Sequence, residues 1–166
     1  LLTPAEYRVD GSVGRITSGG VFAVRGAQVA LRMEPGRQVY PGSIYTAFRE
    51  AGPLRGSGAD AKDVGMLIRN TGVLKVIRIE GEEVLAKVLI QYDIVKAGDL
   101  VRLRDPDRLR YYNSLRQGGK APLQLKGEVL GEMPPKMVAV RGDVVFVDFG
   151  RQQGAWPGMR LMVSRD

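Results

Sequence analysis

The chain has 166 residues, 44% hydrophobic, 26% charged and 7% aromatic, with 25 Lys+Arg against 18 Asp+Glu and a net charge of +7. It holds no Cys and no His, which excludes disulfides, Cys nucleophiles, Ser-His-Asp triads and the usual zinc ligand sets. The length predicts one domain or two small ones, able to fold without a covalent staple, and 22 Gly with 9 Pro favour turns and short strands over long helices.

In chain order, a short strand is expected over Ser12–Ile16, then a polar loop, a turn at Arg25-Gly26 and a strand over Gln28–Met33. Tyr40-Pro41-Gly42 predicts a type II turn. Pro presets φ at its second position, Gly takes positive φ at its third, and the aromatic covers it from the core side. Ile44–Arg49 follows as a strand, and residues 51–65 are turn-rich and expected as an exposed, mobile loop. Met66–Ile79 is rich in Val, Ile and Leu, with Asn70-Thr71-Gly72 as a turn or bulge and Val73, Leu74, Val76 and Ile77 suited to a buried strand. Glu80-Gly81-Glu82-Glu83 reads as a hairpin turn, and Val84–Gln91 as the returning strand. Val95–Val101 echoes Val39–Tyr45, with Gly98 at the Gly42 position. Asp105-Pro106 and Gly118-Gly119 bracket an expected helix over Pro106–Gln117, with Leu109, Tyr112 and Leu115 facing the protein. Strands are expected again over Glu128–Leu130, Asp143–Phe149 and Arg160–Ser164.

These last strands repeat the first ones. Laid over residues 127–166 at a constant offset, residues 11–50 match at ten of 40 positions, where about three would be expected from average usage. The run Ala23-Val24-Arg25-Gly26 recurs as Ala139-Val140-Arg141-Gly142, Pro41-Gly42 as Pro157-Gly158, and Tyr40 aligns with Trp156. The expected fold is therefore mainly β. It has a complete β-unit over residues 7–104, a helical linker over 105–123, and the first half of a second unit over 124–166, each unit a small β-barrel or β-sandwich.

Chemistry is sparse. There is no Walker loop, and Gly56-Ser57-Gly58 lacks the strand–turn–helix context of a phosphate cradle. Glu82-Glu83 and Asp105/Asp107 read as solvated turns or caps, Asp143 and Asp148 as turn or surface groups. No catalytic residue, metal or cofactor is expected. Arg outnumbers Lys by 18 to 7, which suits an anionic partner. The one charged constellation is Arg102, Arg104, Arg108, Arg110 and Arg116, with Tyr111 and Tyr112. It reads as a docking face for an acidic protein surface, a phosphate or a glycan, or else as a solvated linker helix partly neutralised by Asp99, Asp105 and Asp107. No nucleic-acid fold motif accompanies it, so nucleic acid is not an expected partner. No apolar run approaches the ~20 residues of a membrane span. Beginning at Leu1 rather than Met, the chain reads as a processed product or a fragment.

Two stretches carry a resemblance. One runs from Gly20-Val21-Phe22-Ala23-Val24-Arg25-Gly26 through Tyr45-Thr46-Ala47-Phe48-Arg49 and Val64-Gly65-Met66-Leu67 to Ala97-Gly98-Asp99-Leu100-Val101. The other comprises Gly127–Leu130, Asp143–Gly150 and Gly154-Ala155-Trp156-Pro157-Gly158. They resemble the C-terminal β-region of periplasmic LysM-containing proteins of the type that associates with type IV pilus secretins, which is similar to the C-terminal domain of the flagellar T-ring protein. The resemblance implies a non-enzymatic periplasmic scaffold, associated with the outer membrane. It would dock on a secretin or pilus ring in many copies and help anchor it to the cell wall. Peptidoglycan contact would come from a LysM domain, of which this sequence has no stretch. A flagellar basal-body ring component and a small ligand-binding β-barrel are the alternatives.

Overall fold

The computed structural model describes residues 7–55, 63–104, 125–133, 140–150, 153–155 and 159–164. The regular elements among these residues are all strands, as the mainly-β reading expects. The chain divides into two compact units, one of Leu1–Pro53 with Val64–Arg104, the other of Leu54–Asp63 with Asp105–Asp166.

The first unit is built on β1 (Gly11–Ile16), β2 (Phe22–Ala23), β3 (Gln28–Met33), β4 (Ile44–Arg55), β5 (Asp63–Glu80), β6 (Glu83–Gln91), β7 (Val95–Lys96) and β8 (Leu100–Leu103). Six of these hydrogen-bond in the order β1-β3-β6-β5-β4-β8. β8 then pairs back onto β1 through Gly11↔Val101 and Ser12↔Leu100, closing the sheet into a barrel. β2 and β7 form a separate two-stranded sheet.

Side-chain alternation fills the interior. Val29 and Leu31 of β3, Tyr45 and Ala47 of β4, Leu74 and Val76 of β5, and Val84, Ala86 and Val88 of β6 form one buried cluster, which Ala23, Val95 and Val101 join. β1 breaks the period of two. Val13 and Ile16 are both buried, three residues apart, because the register with β3 shifts between Val13 and Arg15. A bulge at Gly14 thus returns Ile16 to the inner face. Outside the barrel, Phe48 and Ile68 are buried with Tyr7, Val9, Met66 and Leu100 against them.

The structure corrects several expectations. Residues 51–55 and 63–65 are strand rather than loop, since β4 and β5 run on as a long pair. Asn70-Thr71-Gly72 is no turn; β5 passes straight through it, and the register with β6 shifts one step later, between Val73 and Leu74. Ile77 is exposed, because the second shift, between Val76 and Arg78, lies beside it. Tyr40 is 61% exposed and covers nothing from the core side. Its hydroxyl donates to Gln38 Oε1 instead, at 3.1 Å. The expected helix over Pro106–Gln117 lies outside the described residues.

In the second unit, β9 (Val129–Met133) and β10 (Val144–Val147) pair antiparallel. Their register reproduces that of β1 and β3 at the repeat offset. Val129↔Val147, Gly131↔Phe146 and Glu132↔Val145 stand where Val13↔Leu31, Arg15↔Ala30 and Ile16↔Val29 stand, and Leu130 is skipped as Gly14 is. The turn before each second strand is also shared. The Ala27 N–H donates to Val24 O at 3.0 Å and the Asp143 N–H to Val140 O at 3.0 Å, around Gly26 and Gly142 with φ of 89° and 98°. A further parallel lies at Gly11 and Gly127. A Cβ on Gly11 would collide with Arg32 O and lie 2.9 Å from Met33 Cα, and one on Gly127 would collide with Asp148 and Phe149, their counterparts. The expected strand over Arg160–Ser164 is absent, and Leu161, Met162 and Val163 are exposed. Its counterpart β4 is held between β5 and β8, and the described residues of the second unit offer no such neighbours.

Candidate functional site

The polar chemistry of the first unit gathers around two buried carboxylates. Asp10 precedes β1 and is 2% exposed. A carboxylate there is tolerated only if its oxygens are satisfied. Oδ1 accepts from Arg8 Nε at 2.7 Å and lies 3.2 Å from Arg37 Nε, while Oδ2 accepts from the Leu103 N–H at 2.7 Å. The Asp10 N–H donates to Val101 O at 2.8 Å, and its carbonyl accepts from the Glu34 N–H at 2.9 Å. One residue thereby ties the start of β1 to the end of β8 and to the β3–β4 connection.

Arg8 and Arg37 remain 58% and 36% exposed at their side chains, so each keeps guanidinium donors for other partners. With Asp10, Gly36, Gln38, Tyr45 and Leu103 they line an open cleft of about 260 Å³. Burial pushes the Tyr45 phenol pKa up, the Asp10 charge adds to this, and Arg8 and Arg37 oppose it. The cleft thus combines two guanidinium groups, one carboxylate already occupied as an acceptor, and a phenol kept neutral. That set can grip a carboxylate or phosphate of a partner. It has no free base to take a proton from one.

Asp99 forms the second network, and here the sequence reading is corrected. Expected to neutralise the linker arginines, Asp99 is instead 2% exposed. Oδ1 accepts from Arg49 Nε at 2.6 Å, and Oδ2 accepts from the Thr71 hydroxyl at 2.8 Å and the Lys96 N–H at 3.1 Å. Arg49 also donates to Ile94 O. The hydrogen bond to Asp99 raises the Arg49 pKa further, against partial burial. Nearby Asp93 is held below the ordinary carboxylate range, chiefly by the Ile94 N–H, with Arg69, Arg49 and Lys96 assisting. This network joins β4, β5 and the β7–β8 turn, and its groups are used in holding strands.

Of the residues singled out from sequence, Arg102 and Arg104 are described. Arg102 stands opposite Thr46 in the β4–β8 ladder, and the Arg104 N–H donates to Ile44 O at 2.8 Å. Both alternate with Leu103, which faces the cleft. Arg108, Arg110, Tyr111, Tyr112 and Arg116 lie outside the described residues, as do Pro157 and Gly158. Pro41 and Gly42 sit in a turn closed by the Ser43 N–H on Tyr40 O at 3.0 Å, with Gly42 at φ 91°. Gly98 repeats it at φ 89°, with the Asp99 N–H on Lys96 O at 3.1 Å.

Sequence reasoning missed Arg8, Asp10 and Arg37. They lie far apart in the chain and meet only because the barrel closes. The available signal was a lone Asp directly before a strand, in a chain rich in Arg. Exposed apolar side chains were missed too: Phe22 of β2 at 52%, with Val21 at 81% and Val24 at 46% on either side of it. Among the described residues no group of three or more Asp or Glu could hold a metal ion, and no helix is long and apolar enough to cross a membrane. No family model, curated protein or solved structure matches the chain.

Proposed function

We propose that the chain is a non-enzymatic scaffold domain of the periplasm, docking on an outer-membrane secretin or pilus ring and helping to anchor it to the cell wall. The observation that carries this reading is where the polar groups go. Both buried carboxylates are used in tying strands together, and the cluster inside the barrel is aliphatic apart from Tyr45. Facing outward are, among others, arginines and apolar side chains: Arg8 and Arg37 at the cleft, and Val21, Phe22 and Val24 in and beside β2. Such a surface suits a partner with acidic and apolar patches. The excess of Arg over Lys and the resemblance of the repeated β-grammar to secretin-associated proteins support the same reading. Peptidoglycan contact in such an assembly belongs to a LysM domain rather than to these residues.

Co-sedimentation with purified secretin rings and, separately, with peptidoglycan sacculi tests the proposal. The expected result is salt-sensitive retention on the rings and none on the sacculi. Retention on neither would overturn it.

A further inference from the structure

We infer that the cleft between Arg8, Arg37 and Tyr45 is a receptor for one glutamyl side chain of a protein partner. It rests on the docking reading for one point alone, that the partner is a protein. Every residue lining the cleft lies in the first unit and is described. Asp10 builds the site without filling it. Its Oδ1 brings Arg8 Nε to 2.7 Å and Arg37 Nε to 3.2 Å. Both guanidinium groups are held through Nε, and no other group among the described residues hydrogen-bonds their terminal nitrogens. The two forks are thus ordered before a ligand arrives, which lowers the entropy cost of gripping it. Tyr45 supplies a third donor. It lines the cleft while only 2% exposed, and the charges of Asp10, Arg8 and Arg37 all act on its phenol, which places the hydroxyl on the cleft side. Burial and Asp10 keep that hydroxyl protonated. It has no hydrogen-bond partner among the described residues. A buried hydroxyl calls for one, and an acceptor seated in the cleft supplies it.

Charge selects the ligand. Two guanidinium groups and one carboxylate leave a single positive charge among the lining residues, and one incoming carboxylate balances it. A phosphate monoester carries about −1.5 to −2 at pH 7. It would set surplus negative charge beside the buried Asp10, which like-charge repulsion opposes. Size selects the source. At about 260 Å³ the cleft is smaller than the roughly 300–1,000 Å³ of small-molecule sites, so it takes one side chain rather than a whole ligand. Leu103, half-exposed, forms one wall. The two methylenes of a glutamyl group lie against it, where the shorter aspartyl group offers only one.

The test is an NMR titration of the full chain, followed at the arginine Nε–H signals. The probe is N-acetylglutamic acid α-amide, which carries one side-chain carboxylate. The Arg8 and Arg37 signals should shift together and saturate at millimolar probe, and the glutamine analogue should leave them unmoved. Inorganic phosphate at pH 7, and N-acetylalanine, whose carboxylate is a chain terminus, should each bind at least about threefold more weakly. Tyr45→Phe should weaken the glutamyl probe by about threefold or more at an unchanged melting temperature. No secretin is present, so saturation here stands whether or not rings retain the chain, and ring retention without saturation removes this inference alone. Absence of saturation, equal shifts with the glutamine analogue, phosphate or N-acetylalanine binding as tightly as the glutamyl probe, or parental affinity in Tyr45→Phe would each overturn it.

Discussion

Arg49 and Asp99 show what a single pair decides in this molecule. With Arg49 replaced by Met, the Asp99 charge keeps only the Thr71 hydroxyl and the Lys96 N–H as partners. Uncompensated burial of this kind costs about 3 kcal/mol or more, so Arg49→Met should lower the unfolding free energy by that amount, read in urea as a lower midpoint at unchanged slope. Tyr7 makes a pH prediction. Partial burial and its hydrogen bond to Glu50 push its phenol pKa up to about 12. The folded state then holds this proton more tightly than the unfolded chain, whose phenol titrates near 10. The contribution is therefore intact below about pH 10 and lost as pH rises towards about 12. Thermal melts between these values should fall less steeply in Tyr7→Phe than in the parent.

At the level of the strand, glycine sets the geometry of the repeated pair. Gly11 crosses so close to Arg32 and Met33 that even a methyl group must displace backbone. Gly11→Ala should destabilise the barrel by about 1–3 kcal/mol, and calorimetry of the variant checks it. Much at this scale was legible in the sequence. Gln28–Met33 reads as a strand because its apolar residues are flanked by turn residues, and the structure has β3 there. The Glu80–Glu83 hairpin was legible from its Gly, and the repeat from identities that preserve a turn and a register. The long β4–β5 pair was not legible. Its Gly, Pro and Arg mimic a loop, and only pairing to a neighbour strand makes such residues extended. The Asp10 clamp was illegible for a related reason. Its partners are brought in by closure of the sheet, which no local pattern encodes.

Over the molecule as a whole, charge and architecture separate. The first unit buries two carboxylates against Arg8, Arg37 and Arg49, whose guanidinium groups stay partly exposed, in a chain of net charge +7. Reversing charge in the arginine-rich segment that the sequence singles out as a docking face should then change association and leave folding alone. Arg108→Glu with Arg110→Glu is expected to weaken ring binding several-fold, with the circular dichroism spectrum and melting temperature unchanged. Equal retention by parent and variant in the sedimentation assay would assign those arginines no part in docking.

Closure of the sheet through β1 and β8 has a mechanical consequence. The two strands run antiparallel and meet through the ladder pairs Gly11↔Val101 and Ser12↔Leu100, flanked by bonds from the Asp10 N–H to Val101 O, the Val13 N–H to Asp99 O and the Gly98 N–H to Val13 O. The polypeptide therefore comes in at Asp10 and goes out at Leu103 side by side. Tension between those points would peel the seam bond by bond, a far softer response than shearing a whole ladder at once. The Asp10 carboxylate, which grips the Leu103 N–H at the head of that seam, is the rivet that must fail first.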